Sequence, residues 1–124
     1  MLIIREEQMN CFRQIKLESF YNSMEQHLKN KFHEETKKLN DFKLHKLIVE
    51  GVGQAKLFDI TDKTDIKRFL EYLVIYSQDF GKSSETQWAY QFLSNEQLTG
   101  NEKMNQIDEY DLFEITLKNQ NLNH

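Results

Sequence analysis

Apolar residues along this 124-residue chain recur at intervals of three and four, the spacing of helices that bury one side. Between Arg5 and Phe32 neither Pro nor Gly intervenes. Met9, Phe12, Leu17, Phe20, Tyr21, Met24, Leu28 and Phe32 share one broad side at about 100° per residue, which predicts a long amphipathic N-terminal helix. Ile4, Cys11 and Ile15 project to nearly the opposite side and form a thinner second stripe. That stripe is either covered by neighbouring helices or left to bind a partner or a second copy.

A polar stretch over 33–40 precedes a second helix expected from Asp41 to Phe58, with Leu44, Leu47, Ile48, Val52, Ala55 and Phe58 on one face. Gly51 lies at the centre of that face. Glycine costs a helix about 1 kcal/mol relative to alanine, so Gly51 predicts close approach of another helix. Gly53, on the opposite side, has no such reason and marks a weak point. After a break at Asp59-Ile60-Thr61-Asp62, Thr61 is the expected N-cap of a third helix, and Asp62 and Asp65 suit its positive end. This helix runs to about Gln78 and is the expected central one, because Tyr72 and Ile75 extend the arc set by Ile66, Phe69, Leu70, Leu73, Val74 and Tyr76.

Asp79-Phe80-Gly81-Lys82-Ser83-Ser84 reads as a turn, with Gly81 left-handed and Ser84 capping a fourth helix over Glu85 to about Gln97. Beyond Thr99-Gly100-Asn101, the residues Met104, Ile107, Tyr110, Phe113 and Leu117 keep helical spacing, although Phe113, Ile115 and Leu117 also alternate as a strand would. Helix to about residue 117 is expected, with 119–124 frayed. The expected fold is therefore all-α: a compact bundle of about five helices with a long N-terminal helix, in one domain over residues 1–118.

Composition strengthens that picture. There is no proline and there are four glycines, so little punctuates the chain. A hydrophobic fraction of 39% with 12% aromatics is too high for a disordered chain, and no apolar run is long enough to span a bilayer. A soluble protein without membrane insertion is expected. The single cysteine, Cys11, and the charges that follow the short apolar start suit a cytoplasmic location. The net charge of −4 has the wrong sign for neutralising phosphates, so nucleic acid is not an expected partner. Much of the imbalance sits after residue 100, where Glu102, Asp108, Glu109, Asp111 and Glu114 face only Lys103 and Lys118. The lysines at 37, 38, 43 and 46 are interrupted by acids and read as a solvated face.

Candidate chemistry fails on spacing. His33-Glu34-Glu35 resembles the start of a zinc-binding helix, but the second histidine is replaced by Lys37. Gly51 and Gly53 lie inside a helical pattern, where a phosphate loop would need a preceding strand. Asp59, Asp62 and Asp65 lack the spacing of a calcium loop. Cys11 has Arg13 and Lys16 nearby in sequence but no base to activate it. No catalytic residue, metal or cofactor is expected, and binding to another protein is left as the function class. Self-association as a structural protein belongs to the same class.

The order of residues adds one resemblance. Met1-Leu2-Ile3-Ile4-Arg5-Glu6-Glu7-Gln8-Met9 with Phe12 opens a series that continues through Ile48-Val49-Glu50-Gly51-Val52-Gly53-Gln54-Ala55 and Phe58-Asp59-Ile60-Thr61. Asp65-Ile66, Phe69-Leu70, Gln78-Asp79-Phe80, Trp88-Ala89 and Glu102-Lys103-Met104 complete it. This series resembles a group of small bacterial proteins encoded beside type VI secretion spike and effector genes, over about residues 1–105. The group often has proline where this chain has Gln87. The resemblance implies a non-catalytic accessory protein, an adaptor or chaperone that holds a secreted effector or its link to the spike. On this reading Ile4, Cys11 and Ile15 are the expected partner-binding residues. An immunity protein, whose acidic end covers a toxin's basic cleft, is the alternative.

Overall fold

Six helices, and no strand among the described residues, make the protein all-α: α1 (Glu6–Lys31), α2 (His33–Thr36), α3 (Asp41–Leu57), α4 (Lys63–Tyr76), α5 (Gln87–Leu93) and α6 (Gly100–Leu122). The structure, a computed structural model, describes residues 6–77 and 79–122, with side chains at 16–77, 79–113 and 115. The sixth helix relative to expectation is α2, a single turn in the stretch read as polar linker. Its last residue, Thr36, is buried, and its hydroxyl donates to the Phe32 carbonyl at 2.8 Å. The chain divides into two compact units, Met1–Val49 and Glu50–His124.

In the first unit Met24 and Leu28 of α1 and Leu44, Leu47 and Ile48 of α3 are buried. Polar contacts fix how these helices meet. Lys29 bridges Glu25 at 3.2 Å and Asp41 at 3.0 Å, and the Tyr21 and His45 rings meet edge-on at 5.9 Å. Asn40 caps α3 by accepting from the Lys43 amide at 2.7 Å.

In the second unit α4 and α5 both pack on α6. Phe69 and Leu70 of α4, Leu93 of α5, and Met104 and Ile107 of α6 are buried in its core. The end of α3 is closed by Asp59 at φ +60, with Ile60 donating back to the Ala55 carbonyl at 2.8 Å and Asp59 to Lys56 at 3.0 Å. That paired return is a Schellman motif, and it turns Ile60 fully inward.

Three helix ends differ from expectation for local reasons. Asp62, not Thr61, caps α4, accepting from the Thr64 amide at 2.9 Å. Ser77 ends α4 before Gln78 by taking φ +84. For α5, buried Thr86 stands at the N-cap position in place of Ser84, and its hydroxyl points back into the turn, accepting from the Gly81 amide at 2.9 Å. Gly81 itself is left-handed, at φ +84, as expected. The helix is short because Ser94 and Asn95 satisfy backbone groups locally, Ser94 donating to Tyr90 O and Asn95 accepting from Gln97 N. Residues 111–117 are helical, and α6 continues to Leu122.

The two glycines inside α3 separate cleanly. A Cβ at Gly51 would stand 2.6 Å from terminal carbons of both Leu70 and Leu73, whereas one at Gly53 would meet nothing within 4 Å. Gly53→Ala is expected to raise stability by about 1 kcal/mol through helix propensity alone. Gly51→Val is expected to lower it by about 2 kcal/mol, because Leu70 and Leu73 are buried and have little room to yield. Urea titration of both variants checks the opposite signs.

Candidate functional site

The most elaborate side-chain arrangement in the second unit joins α4 to α6. Arg68, Tyr72 and Tyr76 recur every four residues on α4, and Asn101, Asn105, Asp108 and Asp111 form one stripe on α6. Arg68 donates to Asp65 at 3.1 Å, to Asn105 at 2.8 Å and to Asp108 at 2.5 Å. Tyr72 donates its hydroxyl to Asp108 at 2.7 Å, Tyr76 donates to Asp111, and Asn101 donates to Asp65 at 3.2 Å. Asp65 is 4% exposed, so its carboxylate needs these partners. The seam therefore clamps two helices, and its polar atoms are spent on one another.

Its electrostatics follow from that geometry. Burial alone would lower the Arg68 pKa, but the hydrogen bond and charge of Asp108, with those of Asp65, outweigh burial and raise it. Tyr72 is pushed up chiefly by burial, then by Asp108 as hydrogen-bond partner and charge, with smaller contributions from Asp111 and Tyr76. A tyrosine held neutral in the folded state contributes stability that is complete below its unfolded pKa, near 10, and is lost as pH rises above it. Urea titrations from pH 9 to 11 should show stability falling more steeply in the wild type than in Tyr72→Phe. The difference should approach about 1.4 kcal/mol per pH unit above pH 10.

Beside the seam, aromatic rings run outward from the core. Phe80 stacks on Tyr72 at 5.0 Å and meets Trp88 edge-on at 6.1 Å; Trp88 stacks on Tyr110 at 4.8 Å, and Tyr110 touches Phe113 at 6.3 Å. The start of α6 is fixed by a reciprocal cap. The Thr99 hydroxyl accepts from the Glu102 amide at 3.1 Å, and the Glu102 carboxylate accepts from the Thr99 amide at 3.0 Å. The Thr99 amide, and after it the Thr99 hydroxyl, as hydrogen-bond partners of the carboxylate, hold the Glu102 carboxyl below its usual range. Lys103, buried at the first turn, donates to the Phe58 carbonyl at 2.6 Å.

An open cleft of about 370 Å³ lies among Asp59, Thr61, Asp62, Thr64, Asp65, Gly100 and Asn101. Asp62 is committed to its cap and Asp65 to Arg68 and Asn101. Among the described residues no three His, Cys, Asp or Glu side chains are grouped to hold a metal ion. No helix among them is long and apolar enough to cross a membrane.

Large apolar side chains stand on the surface instead. Leu57, at the end of α3, is 84% exposed, and its neighbour Phe58 meets Tyr90, 53% exposed, at 6.3 Å. Phe58 also contacts buried Phe69 edge-on at 6.4 Å, so this patch is anchored directly in the core. In the first unit Phe42 is 75% exposed, and on α6 Leu112, Phe113 and Ile115 are exposed. Of the residues expected to bind a partner, Ile4 lies outside the described residues; Cys11 and Ile15 lie on α1, and their side chains are also outside them. The Leu57–Phe58–Tyr90 patch escaped sequence reasoning because Phe58 reads as core and Leu57 as an ordinary helix end. No family model matches the chain, and no curated protein or solved structure matches it either.

Proposed function

We propose that this chain is a non-catalytic accessory protein of a type VI secretion effector module, an adaptor or chaperone that holds an effector or its link to the spike in the cytoplasm of the producing cell. The observation that carries the binding role is the apolar patch of exposed Leu57 and Tyr90 with half-buried Phe58, whose ring is braced by Phe69. Aromatic side chains held rigid from beneath lose little entropy on binding, and they dominate the energetics of protein interfaces. The ordered resemblance from Met1-Leu2-Ile3-Ile4 to Glu102-Lys103-Met104 supplies the secretion context.

An immunity protein would draw on the acidic segment to cover a basic cleft. Two of that segment's acids, Asp108 and Asp111, are tied to Arg68, Tyr72 and Tyr76, which favours the adaptor. Co-expression with the effector encoded beside the gene tests the choice. The adaptor is expected to raise the effector's soluble yield and to co-purify with it, without rescuing growth of a cell that expresses the toxin. Rescue would make it an immunity protein; neither co-purification nor rescue would overturn both.

A further inference from the structure

Three observations converge on the turn that follows α3. Asp59 holds a left-handed backbone at φ +60, which a residue with a side chain adopts at a cost and keeps only where its surroundings fix it. Gly100, at the start of α6, lies against the same turn: a Cβ there would stand 2.9 Å from the Asp59 carbonyl oxygen and 3.0 Å from the Ile60 Cα. Lys103, on the same turn of α6, is 2% exposed, and its ammonium donates to the Phe58 carbonyl at 2.6 Å, with no acid paired to it among the described residues. Such a lysine contributes little to stability, because desolvation of its charge offsets the bond it makes, even at the negative end of α3. What the bond does fix is direction. It pins the chain between exposed Leu57 and buried Ile60, and with it the Phe58 residue whose ring meets Phe69 and Tyr90.

We propose that Lys103 is a latch: from the first turn of α6 it holds the left-handed turn at Phe58–Ile60 closed, and so keeps Leu57 and Phe58 in the arrangement that binds. This inference rests on the Leu57–Phe58–Tyr90 patch being the binding surface, and it assigns the control of that surface to the α6 start. Lys103 acts through Phe58 and is therefore a positioning residue. A turn that is already closed has less freedom to lose when a partner arrives, and the fraction of molecules in which it is closed scales the apparent affinity. A residue kept for this purpose trades little stability for a defined geometry, which separates it from an ordinary packing residue.

Lys103→Met tests the latch, since it keeps the apolar stem and removes the ammonium. Its melting temperature is expected within about 3 °C of the wild type, because the lost bond and the lost desolvation nearly cancel. Hydrogen exchange is expected to differ locally. The Asp59 and Ile60 amides, which close the turn on Lys56 and Ala55, should exchange about fivefold faster, while the Leu70 amide inside α4 exchanges no faster than before. Affinity for the effector proposed as the partner should fall about threefold. Adding Asp59→Gly removes the cost of the left-handed backbone and should return both the exchange rates and the affinity toward wild-type values, which it would not do for a simple loss of packing at Lys103. Turn amides that exchange as in the wild type, exchange that rises equally at Leu70, or no rescue by Asp59→Gly would each overturn the latch. Lys103→Met that binds as tightly as the wild type would overturn it too, and leave the binding surface standing. A wild type that binds no effector would instead overturn the proposed function, and this inference with it.

Discussion

Phe69→Ala is expected to lower the stability of the protein by about 4 kcal/mol, the loss typical when a fully buried aromatic side chain is replaced by a methyl group. Phe69 is 1% exposed, and its ring meets Phe58 at 6.4 Å and Phe80 at 6.2 Å, both edge-on. Truncation removes its own buried area and leaves a cavity that two rings line. Neither ring can follow it inward freely: Phe58 belongs to the closed end of α3, and Phe80 is stacked on Tyr72 and Tyr76. For a chain of this length a loss of about 4 kcal/mol corresponds to a fall in Tm of roughly 15 °C. Phe69→Leu keeps most of the volume and should lose about a third as much. Urea denaturation followed by Trp88 fluorescence reads the difference, because Phe80 lies between the cavity and the indole. Equal losses for the two variants would show that Phe69 is not packed as described.

The second large effect belongs to Arg68. Arg68→Met keeps the length and apolar stem of the side chain but removes the guanidinium that satisfies Asp65, Asn105 and Asp108 together. Asp65 is then a buried carboxylate with Asn101 as its remaining side-chain partner. Removing one member of a buried ion pair typically costs about 3 to 5 kcal/mol, since the other charge stays desolvated. The Arg68–Asp108 half of the network is more exposed and screened, so about 3 kcal/mol is the expected total. Adding Asp65→Asn to Arg68→Met removes the stranded charge and should recover at least half of the loss. A double variant less stable than either single one would mean that Asp65 finds its solvation elsewhere.

Periodicity made the helices legible, but not the fine contacts between them. Gly51 announced a close helix in the sequence, and Leu70 and Leu73 of α4 stand where its side chain would be. The spacing of Met104, Ile107, Tyr110, Phe113 and Leu117 also favoured helix, against the strand-like alternation of Phe113, Ile115 and Leu117. The seam between α4 and α6 went unread, although its signal was present: Arg68, Tyr72 and Tyr76 at four-residue steps, facing Asn101, Asn105, Asp108 and Asp111 at steps of four and three. Reading it requires asking which polar stripes match each other, not only which apolar stripes meet. The Thr99–Glu102 box was equally visible as a Thr-x-x-Glu spacing before an apolar run. Thr86 was not legible, because a threonine that turns its hydroxyl back into the preceding turn looks in sequence like one that caps the following helix.

The proposed binding surface was the least legible. A seam on α1 at Ile4, Cys11 and Ile15 was inferred from residues too apolar for a solvent face, and the same logic applies to Leu57 and Tyr90 once their exposure is known. What sequence could not supply is which apolar residues the fold leaves uncovered. Leu57 falls just where the Asp59 turn leads the chain away from α3, and Tyr90 lies on a helix only seven residues long.

The most direct test of the proposed protein-binding role is the affinity of the purified protein for the effector proposed as its partner, measured by calorimetry for the wild type and for Leu57→Asp combined with Tyr90→Ser. The expected result is a loss of at least a hundredfold with an unchanged melting curve, since both side chains face solvent. Undiminished affinity in the double variant would contradict the assignment of that patch, and no measurable heat with the wild type would contradict the role itself.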